Sequence, residues 1–196
     1  MDAGRLDERA SLLRLVKTEE GYTWEKAFSL PVQAQRSGRA NLFSRVGLGE
    51  KSVDFTLRRR PLTLHDALLW RGQHCFLTDI RELDRKYLEV EAALVRVQEC
   101  ALLEREKTVD AYNSPQYGEP KRLFSFPGIL TEKYLRYEAG LPMAQNESLF
   151  VLVAPKAIGL KTNDLVETGG KRYAVRVCHC LDAYKNEYEI ARREDA

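Results

Sequence analysis

Apolar and polar residues alternate along several short stretches of the chain, and this period of two predicts half-buried β-strands. Residues 52–58 place Val53 and Phe55 on the same side of one such strand. Residues 75–80 form a second apolar stretch, and residues 87–94 form a third that alternates in the same way. Successive strands with short polar connections predict an antiparallel meander.

The second half of the chain repeats this order of elements. Residues 149–153, 173–178 and 184–191 are again strand-like, and the pair Gly169-Gly170 separates two of the apolar stretches. Two glycines between apolar stretches predict a hairpin, because the tight turn requires positive φ angles. Each half therefore ends in a meander.

The two halves also share residues at matching positions. The string FSLP at residues 28–31 returns as FSFP at residues 124–127, and we align Phe55-Thr56-Leu57 with Phe150-Val151-Leu152. Further along, a constant shift of 98 positions aligns identical residues: Asp66 with Asp164, Gly72 with Gly170, Leu83 with Leu181, Asp84 with Asp182, Glu89 with Glu187, Glu91 with Glu189 and Ala93 with Ala191. These matches indicate a tandem duplication, with one domain at residues 1–97 and a diverged copy at residues 98–196.

The predicted fold is mainly β, with two tandem small antiparallel β-barrel or sandwich domains and at most one short flanking helix in each. The helix of the first half is expected at residues 37–45, and that of the second half at residues 131–144, where Pro142 would end it. Residues 95–107 contain neither glycine nor proline. We therefore expect a short, stiff junction between the domains.

Composition narrows the class of protein. Lysine and arginine total 31 of the 196 residues and aspartate and glutamate total 29, for a net charge of +2. This near-balance argues against a dedicated nucleic-acid binder, which usually has a strong basic excess. No apolar run is long enough for a membrane helix and no signal-peptide core is present, so we expect a protein made in the cytoplasm with reduced cysteines.

Cysteine and histidine stand next to each other at two places. Cys178-His179-Cys180 contains ligand types that suit zinc, but neighbouring strand residues face opposite sides, and no second pair completes four ligands. A Cys-His nucleophile, at His74-Cys75 or around His179, would need the base within hydrogen-bond reach. We therefore expect ordinary strand residues here, with no metal, no cofactor and no enzymatic activity.

Short motifs follow one another through residues 4–95. They are Gly4 and Leu6 before an alternating strand, Gly21 followed by Trp24, Ser37-Gly38-Arg39 at the start of the predicted helix, Arg58-Arg59-Arg60-Pro61, Gly72 in a hairpin, and Glu89-Val90-Glu91 in the final strand. This series resembles the phage head-tail adaptor family, also called head-closure or connector proteins. Two features depart from the family: its members are usually single-copy, and the second half lacks both the Ser-Gly-Arg motif and the three arginines.

The resemblance implies a small β-barrel or sandwich that assembles as a ring in the neck of the virion, between the portal and the tail. It implies a portal or adaptor protein as partner on the head side, a tail-tube or terminator protein on the tail side, and transient contact with genomic DNA. No membrane contact and no catalysis are implied. Because portal-side rings are commonly twelvefold and tail tubes sixfold, six chains of two domains each would present twelve similar domains to one neighbour.

Two groups of residues are candidates for contacts. Arg58, Arg59 and Arg60 form a dense basic run that either faces DNA phosphates in the lumen of the ring or lies at a solvated or intersubunit edge. Trp24, Leu42, Phe43 and Trp70 are candidates for an assembly interface, because aromatic residues concentrate at interface centres, and core packing is the alternative for each.

The sequence leaves alternative functions open. One is a tail-terminator or other tail-proximal structural protein, which differs from a neck protein only in its partner. Another is a duplicated β-barrel module that binds nucleic acid.

Overall fold

The computed structural model describes residues 6–40, 50–105, 107–109, 115–132 and 149–193, and all regular structure in these ranges is β. The first half contains β1 (Glu8–Lys17), β2 (Tyr22–Ala40), β3 (Glu50–Arg58), β4 (Ala67–Trp70), β5 (Gln73–Glu82) and β6 (Tyr87–Val95). The second half contains β7 (Val97–Glu104), β8 (Lys107–Val109), β9 (Pro115–Tyr117), β10 (Lys121–Glu132), β11 (Leu149–Pro155), β12 (Leu165–Thr168), β13 (Lys171–His179) and β14 (Lys185–Arg192). Within the described ranges, no helix is long and apolar enough to cross a membrane.

The strands close into two separate antiparallel barrels of six strands each. The order around the first barrel is β1-β2-β3-β6-β5-β4, and around the second it is β10-β11-β14-β13-β12-β7. When the strands of each barrel are numbered in chain order, the two barrels have the same topology. The small β8-β9 sheet is inserted after the first strand of the second barrel. The predicted fold class, two tandem β-barrels, is confirmed.

The two barrels also share their irregularities. A β-bulge at Ala27 in β2 has its counterpart at Leu123 in β10, and a bulge at Thr78 in β5 has its counterpart at Arg176 in β13. The predicted shift of 98 holds for the second pair, and the alignment of FSLP with FSFP holds for the first. Bulges that recur at matching positions set the same strand bends in both halves.

The alignment of Phe55 with Phe150 was wrong by two residues. Phe55 pairs with Ala34 and Val90, and the residue with the corresponding two partners in the second barrel is Leu152, which pairs with Leu130 and Tyr188. A shift of two keeps every side chain on the same face of its strand, so alternation alone did not detect the error.

The prediction of a helix at residues 37–45 is wrong for residues 37–40. Residues 37–40 continue strand β2, where the hydroxyl of Ser37 lies 2.9 Å from that of Ser52 on β3. The rest of this predicted helix, residues 41–45, lies outside the described residues. Of the helix predicted at residues 131–144, residues 131 and 132 belong to strand β10 instead, and residues 133–144 lie outside the described residues.

Each barrel encloses its own apolar core. Phe55, Trp70 and Leu77 are among the buried residues of the first core, and Phe126, Tyr188 and Ile190 are among those of the second. Matching two-residue hairpins join β4 to β5 and β12 to β13. Their central residues all have positive φ angles, as tight hairpin turns require: 50° and 75° for Arg71 and Gly72, and 57° and 70° for Gly169 and Gly170.

Candidate assembly surfaces

The two barrels pack against each other through the outer faces of their sheets. Phe76 lies between Cys75 and Leu77, which point into the first core, so alternation turns Phe76 outward. It joins a separate buried cluster that we call the seam, made of Phe76, Ala93 and Val95 from the first barrel and Ile129, Val151 and Val153 from the second. Strand β6 ends at Val95 and β7 begins at Val97, so one residue connects the barrels across this contact.

A turn of the first barrel also docks on the second. Gly21 bridges Ser125 of the FSFP segment, and the Ser125 N–H donates a 2.8 Å hydrogen bond to the carbonyl of Glu20. Gly21 has a φ of 144°, and a Cβ at this position would overlap the backbone carbonyl of Ser125. Tyr22 continues the contact with its ring 6.1 Å from that of Phe124. The position therefore requires glycine both for its backbone conformation and for the close approach.

A cleft of about 570 Å³ lies beside this turn, between the barrels. Trp24 is half-buried in it, and its ring centroid lies 5.3 Å from that of His74. The His74 Nε2 atom is buried without a hydrogen-bond partner, and burial lowers the pKa of this histidine to about 4. His74 is therefore neutral near pH 7 and acts as an aromatic wall under Trp24.

On the first barrel, a groove opens between the end of β1 and the loop before β4. Its volume is about 320 Å³, and it is lined by Arg14, Leu15, Leu64, His65, Asp66 and Phe76. The opposite wall is supplied by the second barrel, through Pro155, Lys156, Ala157 and Tyr184. The Tyr184 ring lies 6.1 Å from that of Phe76. We call this the first-barrel groove; the end of the second barrel forms its far wall.

The second barrel has a groove of its own at the matching place, which we call the second-barrel groove. It has a volume of about 700 Å³ and lies between the end of β7 and the loop before β12, with Leu103, Glu104, Arg105, Lys161, Asp164 and Leu165 in its walls. Leu123, the bulged residue of β10, also lines it and is 56% exposed. No described residue of the first barrel contributes to its lining.

The basic run lies at one end of the first barrel. Arg58 ends β3, and Arg59 and Arg60 follow it; all three side chains are exposed. Arg59 donates a 2.6 Å hydrogen bond to Glu82, and Arg60 lies over the ring of Phe28 at 5.5 Å. The three arginines therefore keep their charge at the surface. Their contact with DNA or with another subunit stays a prediction.

The aromatic and apolar candidates are separated in the structure. Trp70 is 2% exposed in the first core, where its Nε1 donates a 2.6 Å hydrogen bond to Glu8, so its ring is not available to a partner. Trp24 is the candidate that lies at a surface, in the cleft. Leu42 and Phe43 lie outside the described residues.

The cysteine and histidine pairs follow the alternation of their strands. Cys75 points into the first core, and burial raises its pKa to about 12, whereas His74 faces the cleft. Cys178 packs on the second core, while His179 lies 3.0 Å from Glu189 on the outer face. In neither pair do the two side chains point to the same side of the sheet. Across the described ranges, no three metal-binding side chains converge.

One surface feature was not singled out from the sequence. Leu83 and Leu181, which align at the shift of 98, lie at the tips of matching hairpins and are 46% and 103% exposed. The neighbouring aspartates stabilise these hairpins, because Asp84 accepts hydrogen bonds from the N–H groups of Lys86 and Tyr87, and Asp182 accepts one from Tyr184. No such structural role explains the leucines. Identity between the halves at exposed positions was the signal that would have found them.

Comparison with known proteins yields no match, either to a protein-family model or to a curated protein.

Proposed function

We propose that this chain is a structural protein of the virion neck, a head-tail connector that self-assembles into a ring between the portal-capped capsid and the tail. The observation that carries the proposal is the pair of barrels with one topology and matching bulges, held together by an apolar seam. Such a unit has the form of a building block, because its two barrels repeat one strand topology. Its motifs in residues 4–95 supply the resemblance to head-tail adaptors.

The arrangement of charge agrees with a DNA passage. Arg58, Arg59 and Arg60 are exposed at one end of a chain whose overall charge is close to neutral. Attraction between exposed arginines and phosphates is weak and screened by salt, which suits a channel through which DNA must move. The same run also suits an edge between subunits.

Counting subunits tests the proposal. We expect native mass spectrometry and electron microscopy of the purified chain, alone and with a portal protein, to show a closed ring. Six chains would present twelve barrels. A ring of twelve chains would therefore refute the proposed number of six chains, but not the proposal that the chain is a connector. A chain that stays monomeric in both settings would refute the ring.

The exposed arginines also favour a second candidate, a duplicated barrel that binds nucleic acid. A nucleic-acid module should bind duplex or single-stranded DNA as a monomer, with an affinity that falls steeply as salt increases. A neck protein should show little binding until it is assembled. Fluorescence anisotropy of labelled DNA across a salt series, on monomeric chain, separates the two.

A further inference from the structure

The two grooves occupy the same place on the two barrels. In the first barrel Leu13 pairs with Ala67 beside the groove, and in the second Leu103 pairs with Leu165. The loops that form their walls share a turn, in which Asp66 accepts a 2.8 Å hydrogen bond from the N–H of Thr63 and Asp164 accepts a 2.7 Å bond from that of Lys161. The grooves therefore share two walls, one formed by the end of β1 or β7 and the other by the loop before β4 or β12.

The second-barrel surface that forms the far wall of the first-barrel groove also has a counterpart. Pro155 pairs with Lys185 in the second barrel, as Arg58 pairs with Tyr87 in the first. Next to it, the N–H of Lys156 donates to the carbonyl of Tyr184, as the N–H of Arg59 donates to that of Lys86. Residues 58–60 and the hairpin tip at residues 83–86 thus match the part of the second barrel that faces the first-barrel groove. We call them the basic end.

Within one chain, the contact between the barrels is therefore head to tail: the groove of the first barrel faces the end of the second barrel. In the part of the chain that the structure describes, one groove, on the second barrel, and one end, on the first, lack this contact. We propose that the second-barrel groove receives the basic end of a second copy of this chain. Repeated around an axis, the contact is heterologous and closes into a ring if its rotation allows. The inference rests on the proposed connector ring and names the surfaces that build it.

The contact between chains differs in chemistry from the one within the chain. The first-barrel positions that match Ile129, Val151 and Val153 of the seam are Gln33, Asp54 and Thr56. The groove carries charges of both signs, which are Glu104, Asp164, Arg105, Lys161 and Arg193, whereas the basic end carries Arg58, Arg59, Arg60, Arg85 and Lys86 with one carboxylate, Asp84. Glu104 and Asp164 are the groove side chains that can pair with these cations. Such a polar contact is reversible and sensitive to salt, whereas the apolar seam is permanent.

Two variants that block opposite halves of the contact provide the test. Leu123→Arg places a cation in the second-barrel groove, where it repels the basic end, and Arg58→Ser with Arg60→Ser removes two of the cations that can pair with the groove carboxylates. We expect each to weaken self-association at low salt at least tenfold, measured by analytical ultracentrifugation. Leu69→Arg, at a leucine 37% exposed on β4 outside the groove, and Arg9→Ser with Arg36→Ser are the matched controls and should associate like the unmodified chain.

Mixing the two blocked variants is the decisive step. Each retains one intact half, so an equimolar mixture should form a one-to-one pair that goes no further, which native mass spectrometry resolves by mass. Pair formation also shows that both variants are folded; if Leu123→Arg does not fold, Leu123→Lys takes its place. If the unmodified chain forms a ring but the variants assemble as well as it does, or their mixture yields no pair, the groove assignment is refuted and the ring survives. A chain that is monomeric at low salt, both alone and with a portal protein, refutes both.

Discussion

At the scale of single residues, His74 shows how the contact between barrels sets the chemistry of a side chain. It follows the alternation of β5 and points away from the first core into the cleft, where Trp24 covers it. Its Nε2 is buried without a partner, and burial lowers its pKa from 6.5 to about 4. Because the unfolded chain takes up this proton more readily than the folded chain, His74 couples stability to pH.

The sign of this coupling follows from the lowered pKa. As the pH falls from about 6.5 to about 4, protonation favours the unfolded chain, and the folded state loses stability on the order of 3 kcal/mol. His74→Phe should remove this loss, because phenylalanine fills the site without a titrating group. We expect the difference in free energy of unfolding between the two proteins to change over that pH window, measured by urea denaturation.

His65→Phe is the matched control, since that histidine is exposed. It should keep the pH dependence of the unmodified chain. If His74→Phe and the unmodified chain lose stability in parallel between pH 6.5 and 4, burial of His74 is not the cause.

At the scale of elements, strand β14 fastens the loop that closes the second barrel. The Tyr188 hydroxyl donates a 2.6 Å hydrogen bond to the carbonyl of Ile158 and accepts a 3.1 Å bond from the N–H of Leu160. Asn186 donates to the carbonyls of Ile158 and Lys156. Burial raises the pKa of Tyr188 to about 12, so the hydroxyl stays protonated and can donate. The first barrel has Val90 at the matching position, so this fastening belongs to the second barrel.

Tyr188→Phe should destabilise the protein by about 1–3 kcal/mol, because it leaves the buried N–H of Leu160 without its acceptor and removes one of the two donors to the carbonyl of Ile158. Chemical denaturation measures the change. Tyr184→Phe is the control: it also removes one hydroxyl, but this hydroxyl has no hydrogen-bond partner among the described residues. An effect of equal size in both variants would show that the hydrogen bonds of Tyr188 are not responsible.

The same elements show what sequence alone can predict. Alternation and the Gly169-Gly170 turn predicted the strands of both meanders, because a half-buried sheet requires a period of two and a tight turn requires positive φ. The grooves were not predicted, since they form only when β1 closes on β4 and β7 on β12, across more than fifty residues of chain. Trp70 was not separated from Trp24, because composition does not distinguish a core aromatic from a surface one.

At the scale of the whole molecule, the seam makes two barrels into one unit. Its six residues are buried and apolar, and the docked turn at Gly21 adds a backbone contact at its side. A single residue separates β6 from β7, so neither barrel can move far without breaking these contacts. We therefore expect the two barrels to unfold together in a single thermal transition.

Val153→Asp should separate them. Val153 is fully buried in the seam and pairs across the ladder with Glu187, which is buried and ion-paired with Lys185, so aspartate there adds a second buried carboxylate at a cost of roughly 3 kcal/mol or more. The interiors of both barrels are untouched, so each should still fold, and calorimetry should resolve two transitions. Val177→Asp introduces the same charge at a site 42% exposed on β13 and should keep a single transition. One transition for Val153→Asp, at any temperature, would mean that the turn at Gly21 couples the barrels without the seam.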